Sequence, residues 1–279
     1  MSTRRSIYIP VDQHEIHVSE WGDPQAPAVI MWHGLARNGR DFDVAARYFN
    51  DRFRIICPDT IGRGLSTWSA NPVDEYVIPL YCRHALAVMD ALHIDQCQWV
   101  GTSMGGIIGM SLAGTPFGAQ RISRLVINDV GPQLNQAALD RIKSYAGMVP
   151  EFSTVTEYER FLRLVYAPFG TLTDDEWRQM TESSLRRLPN GKLSSHMDPA
   201  VMQAFAHHSG EFSLWDIYDA ITCPTLLIRG EASDLLDAAV AEQMTQRGPK
   251  ATAHTIPGCG HAPALNTQAQ LSLLDAFLQ

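Results

Sequence analysis

QWVGTSMGGII, residues Gln98 to Ile108, sets one serine among three glycines between two apolar runs. Gln98-Trp99-Val100 reads as the end of a buried strand, and Ile107-Ile108 reads as the inward side of a helix. A chain that passes directly from strand to helix crowds its own backbone at the pivot. Gly101 and Gly105 supply positions with no side chain to clash. Ser103 is then lifted clear of the sheet, and the free N–H groups of the helix start point at the same spot, which suits a developing negative charge.

Working outward, short apolar runs recur at Ala28–Trp32, Phe53–Cys57, Arg124–Ile127, Thr225–Ile228 and, more weakly, Thr252–Ile256. Continuous rather than alternating apolar strands fit a parallel sheet covered on both faces. Between them lie helix-period stripes: Phe42, Ala45, Ala46 and Phe49; Ala85, Val88, Met89 and Leu92; Leu271, Leu274 and Leu278. This alternation predicts an α/β fold of three layers with right-handed crossovers. Ser6–Ile9 and Glu15–Val18 alternate around a polar turn and predict an antiparallel hairpin at the amino-terminal edge.

The strand rhythm stops between about Leu134 and Ala220. Starts of helices are expected at Thr156-x-x-Glu159, at Thr173-x-x-Glu176 and after Asp198-Pro199, so this stretch predicts helices throughout. The expected organisation is a core of residues 1–132 and 222–279 with a helical cap, 133–221, lying as a lid over the carboxyl edge of the sheet.

Composition narrows the function classes. The chain has 279 residues, 45% of them hydrophobic and 19% charged, enough to bury a large core. A net charge of −8 with no basic stripe argues against nucleic acid as a partner. No apolar window reaches the length of a membrane span, and the first ten residues lack the core of a signal peptide, so a cytoplasmic protein with no membrane partner is expected. Five scattered cysteines, none in a Cys-x-x-Cys pair, predict reduced thiols. His14 and His17, and the adjacent His207 and His208, lack the carboxylate or cysteine spacing of a metal site, so no metal is expected. Gly62-Arg63-Gly64 is not continued as a phosphate loop.

Serine is a poor nucleophile unless a base takes its proton and a third group orients that base. The best base is His261 in Pro257-Gly-Cys-Gly-His-Ala-Pro263, after the last strand. The best acid is Asp234 in Ile228-Arg-Gly-Glu-Ala-Ser-Asp234, just past the preceding strand; Asp237 is better explained as a helix N-cap. The order Ser, Asp, His on loops at strand ends is the order this architecture requires.

With these residues in view the chain resembles, over essentially its full length, an alpha/beta-hydrolase with a helical cap. The matching segments are His33-Gly34, Asp59-x-x-Gly-Arg-Gly-x-Ser66, the Ser103 elbow, Asn128-Asp-Val-Gly-Pro132, Arg229-Gly-x-x-Ser-Asp234 and Gly260-His261. The resemblance implies a nucleophile at Ser103, an acid at Asp234, a base at His261 and an oxyanion hole from the backbone N–H groups of Leu35 and Met104. Some members of the superfamily carry the acid where Asp129 stands, which keeps that residue as the alternative. His33 is expected to support the oxyanion loop through a hydrogen bond. Arg37 and Asn38 are candidates to bind a carboxylate or hydroxyl of the substrate, weighed against a solvated loop. Among Tyr145, Phe161, Trp177, Met202, Phe205 and Trp215 most should be core, with a subset, Trp177 among them, roofing the pocket. The implied activity needs no cofactor: a serine hydrolase of small carboxylic esters or lactones. Hydrolysis of a carbon–carbon bond in diketone-type ring-cleavage products is the alternative, and a non-catalytic ligand receptor is the reading from another class.

Overall fold

The apolar runs meet in one eight-stranded sheet in the computed structural model, which describes residues 4–144, 148–208 and 213–279. Its strands are β1 (Arg5–Val11), β2 (His14–Trp21), β3 (Ala28–Trp32), β4 (Arg54–Pro58), β5 (Cys97–Thr102) and β6 (Ile122–Asn128). A separate pair follows, β7 (Leu185–Arg187) and β8 (Leu193–Ser195), before β9 (Thr225–Gly230) and β10 (Thr252–Ile256) complete the large sheet. The spatial order is β1-β2-β4-β3-β5-β6-β9-β10. The β1–β2 and β2–β4 pairs are antiparallel and the remaining pairs of this sheet parallel, so the expected hairpin sits at the edge.

The helices are α1 (Asp43–Phe49), α2 (Pro72–Glu75), α3 (Ile78–Ala91), α4 (Met104–Ala113), α5 (Gln136–Lys143), α6 (Val155–Val165), α7 (Asp174–Ser184), α8 (Ala200–His208), α9 (Trp215–Asp219), α10 (Ala238–Gln246) and α11 (Gln268–Phe277). Alternate side chains of the sheet build two cores. Ile30, Trp32, Trp99, Leu125 and Ile127 pack with Val88 and Met89 of α3 and Ile108 and Leu112 of α4. Val29, Met31, Val100, Val126 and Ile228 pack with Ala46 and Phe49 of α1 and Leu271 and Leu274 of α11. Each fully buried aliphatic side chain on these faces stabilises the fold by about 1.5–3 kcal/mol.

Residues 133–221 lie between β6 and β9. They are not helical throughout: β7 and β8 pair antiparallel across a turn at Asn190-Gly191, where Gly191 takes a φ of 82°. Asn-Gly between short strands is a hairpin signal that helix-period reading passes over. The helix expected to start at Thr156 starts two residues earlier, with the Thr154 side chain accepting from the Glu157 N–H; Thr173 and Glu176 do form a capping box. Tyr145 lies outside the described residues.

Main-chain bonds fasten this insert to the loops at the carboxyl ends of the sheet. Gly260 donates to Pro168 O at 2.7 Å and Ala264 to Phe169 O at 3.1 Å. Gly64 donates to His196 O at 3.0 Å, and Asp198 to Gly62 O at 2.8 Å.

Candidate active site

β5 ends at Thr102 and α4 begins at Met104, leaving Ser103 alone at the pivot with φ 52° and ψ −114°. A non-glycine residue there is strained and is held by its surroundings: the Ser103 N–H donates to Asn128 O at 2.8 Å. The glycines earn their place by close approach. A Cβ on Gly101 would stand 2.2 Å from Gly105 O, and one on Gly105 would stand 2.0 Å from Trp32 O. The start of α4 thus rests directly on the backbone of β3 and β5, and the Met104 N–H, first in the helix, has no acceptor within it.

His261 reaches the serine from the loop after β10, with Nε2 at 2.9 Å from Ser103 Oγ. Its Nδ1 lies 2.9 Å from Oδ2 of Asp129, not from Asp234. Because a carboxylate only accepts, Nδ1 carries the hydrogen and Nε2 is left free to accept from the serine hydroxyl. Asp129 is wholly buried at the end of β6 with φ 59°. Its Oδ1 accepts from the Gly230 N–H at 2.7 Å and its Oδ2 from Ser233 Oγ, also at 2.7 Å.

The contact with His261 that was expected of Asp234 is made by Asp129 instead. Asp234 is half exposed and ion-paired with Arg141 of α5, itself about half exposed. The loop after β9 does reach the site, but through the Gly230 N–H and Ser233 Oγ, both of which support Asp129. Asp237 occupies the N-cap position of α10 without a capping bond from its side chain.

The loop after β3 brings Gly34 against the serine: a Cβ on Gly34 would sit 3.6 Å from Ser103 Cβ. His33 holds this loop as expected. The Thr60 N–H donates to its Nε2 at 2.9 Å, so Nδ1 bears the hydrogen and donates to Gly34 O at 2.7 Å. In a planar trans peptide the Gly34 carbonyl and the Leu35 N–H point in opposite directions, so fixing the first aims the second. Burial holds the His33 imidazole down, to about 4, and it stays neutral. Asp59 braces the same region, accepting from Gly39 N at 2.7 Å, Leu65 N at 2.9 Å and His17 Nδ1 at 2.8 Å.

The substrate-binding candidates are otherwise engaged. Arg37 is buried, and its fork grips Asp41 through Nε and Nη2 while stacking 4.7 Å from the Tyr166 ring centroid. Asn38 caps the short 3-10 turn that follows it and donates to Ser183 O at 3.0 Å, tying the loop to α7. Trp177 is buried in the insert's own cluster with Tyr158, Leu162 and Met180, its ring under Arg163. Among the described residues no group of three or more His, Cys, Asp or Glu side chains is arranged to hold a metal ion, and no helix is long and apolar enough to cross a membrane.

Comparison with known proteins finds hydrolases similar to this chain over nearly its whole length. The chain is 37% identical over 278 residues to the 3-hydroxybutyrate-oligomer hydrolase of Cupriavidus necator, covering 96% of this chain and 94% of that one. A crystal structure from Rickettsia typhi superposes with a TM-score of 0.90 at 29% identity, over 98% of both chains. An alpha/beta hydrolase from Novosphingobium aromaticivorans gives 0.88 at 28% identity, over 99% of this chain and 98% of that one. Residues 27–266 match the family model of the alpha/beta hydrolase fold. With that match running from β3 through β10 and holding the serine elbow and the histidine loop, the chain belongs to the alpha/beta hydrolase fold family.

Proposed function

We propose that this protein is a serine hydrolase of small carboxylic esters, with short oligoesters of 3-hydroxy acids as its substrate class. The observation that carries the reading is the unbroken chain from Ser103 Oγ to His261 Nε2 at 2.9 Å and from His261 Nδ1 to Asp129 at 2.9 Å. The substrate class is argued from the similarity to the 3-hydroxybutyrate-oligomer hydrolase, which spans nearly the whole of both chains.

In this reading His261 takes the serine proton as Ser103 Oγ attacks the ester carbonyl. The N–H groups of Leu35 and Met104 hold the resulting oxyanion, each contributing about 3 kcal/mol in the transition state. The imidazolium returns the proton to the departing alcohol, leaving an acyl-serine. Water, deprotonated by the same imidazole, then attacks the acyl carbon, and the proton passes back to Ser103 as the acid is released. Asp129 keeps the imidazole in the required tautomer and faces its positive charge while it lasts. Residues 133–221 serve as a lid over this centre.

The test is covalent labelling with a fluorophosphonate, read by intact mass, alongside turnover of 3-hydroxybutyrate dimers and trimers, aryl esters, lactones and ring-cleavage diketones. Labelling of the wild type but not of Ser103→Ala, with oligoester turnover, is the expected result. Turnover of the diketones alone would move the protein to carbon–carbon hydrolysis, and absence of both labelling and turnover would favour a receptor.

A further inference from the structure

Gly62-Arg63-Gly64 matched no phosphate loop, yet its arginine is buried to 1% exposure beside the site. Its Nε donates to Leu35 O at 2.9 Å. Its Nη1 donates to Ile61 O at 2.7 Å and to Tyr81 Oη at 2.9 Å, while Nη2 faces Met104 Sδ at 3.6 Å. The rings of Tyr76 and Tyr81 flank it at 5.6 and 5.1 Å from their centroids. Among the described residues no carboxylate pairs with it. A buried guanidinium without a counter-ion is costly and is not expected where packing alone is needed.

We propose that Arg63 is the positioning residue of the oxyanion hole, and that its unpaired charge strengthens the hole for the tetrahedral anion. This rests on the serine-hydrolase reading of Ser103. The guanidinium touches both residues assigned as donors: the carbonyl of Leu35 and the thioether of Met104. His33 fixes the peptide before Leu35 and Arg63 fixes the peptide after it, so the Leu35 N–H is held from both sides. In a site with little water a fixed positive charge acts on a developing anion far more strongly than on a neutral ester, so its effect falls on turnover rather than on substrate binding. The same loop carries the insert, through Gly64 to His196 and Asp198 to Gly62, so seating the insert also seats Arg63.

The experiment compares wild type, Arg63→Met and Arg63→Lys for kcat and KM on an aryl butyrate, for inhibition by butylboronic acid, and for fluorophosphonate labelling. Arg63→Met should lose kcat by about 10- to 100-fold, less than removal of a donor outright, with KM within about threefold. The boronate, which adds to serine as a tetrahedral anion, should weaken by the same factor. Arg63→Lys keeps the charge without the fork and should recover part of the boronate affinity. A folded variant with kcat and boronate inhibition within about twofold of wild type overturns the proposal, as does a rise in KM alone; should Arg63→Met fail to fold, Arg63→Lys decides by the same two readings. A wild type that fluorophosphonate does not label overturns the underlying serine reading instead, which separates the two failures.

Discussion

Replacing Asp129 by asparagine tests the site at the point where sequence and structure part. The amide can still accept from the Gly230 N–H through its oxygen, but its NH2 then faces His261 Nδ1, where a carboxylate oxygen now accepts at 2.9 Å. Two donors cannot share that contact, so the imidazole must shift its hydrogen to Nε2, the nitrogen that has to receive the serine proton. The same error in a serine protease triad costs about 10⁴ in kcat, which is about 5 kcal/mol of barrier. We expect Asp129→Asn to lose between about 10³ and 10⁴ in kcat with little change in thermal stability. Asp234→Asn removes only a half-exposed ion pair, worth about 0–1 kcal/mol, and should keep kcat within about twofold. Steady-state hydrolysis of a 3-hydroxybutyrate dimer, with circular dichroism as the control for folding, reads both. An Asp129→Asn enzyme retaining more than a tenth of wild-type kcat would refute the assignment, most plainly if Asp234→Asn were the variant that collapsed.

Gly105→Ala drives a methyl to 2.0 Å from Trp32 O, with no flexible side chain to yield; we expect a loss of about 3 kcal/mol or more in urea unfolding, and a midpoint close to wild type would sink the packing argument. Stability should also depend on pH through His33 and His84, whose imidazoles burial holds down to about 4. Both are neutral in the folded protein, whereas the unfolded chain binds their protons near the ordinary value of about 6.5. Their contribution is therefore intact above about 6.5 and lost progressively as pH falls toward about 4. Urea midpoints taken from pH 7 to 4.5 should fall steadily, and His84→Leu should make the fall shallower by up to about one proton's worth; an unchanged slope would remove His84 from the account.

Ser103 and His261 are legible because each announces itself locally, the first by glycines that a strand-to-helix turn demands, the second by a rigid loop after the last strand. The acid does not. Asp129 and Asp234 both stand past strands that are neighbours in the sheet, and chain order suits either. What separates them is tertiary: Arg141, on a helix of the insert, draws Asp234 outward, while Ser233 and the Gly230 N–H close around Asp129. A faint signal did exist, since aspartate tolerates the left-handed backbone that Asp129 adopts better than most residues. Arg37 and Asn38 illustrate the same limit, because the sequence does not show that Arg37 grips Asp41 and that Asn38 donates to α7. The inner strands β3, β4, β5, β6 and β9 were readable because burial on both faces writes a short continuous apolar run, whereas the exposed edge strand β10 left only a weak trace.

The bonds from Gly260 to Pro168 and from Ala264 to Phe169 bear on how such proteins can be recombined. They make the stretch 167–169 a structural neighbour of the histidine loop as well as part of the insert. A chimera that exchanged this insert for that of a relative would keep His261 aligned with Ser103 only if the donor segment brought two main-chain acceptors to the same heights. The insert and the histidine loop thus form one unit of exchange, and grafting either alone should yield folded hybrids with His261 displaced from Ser103.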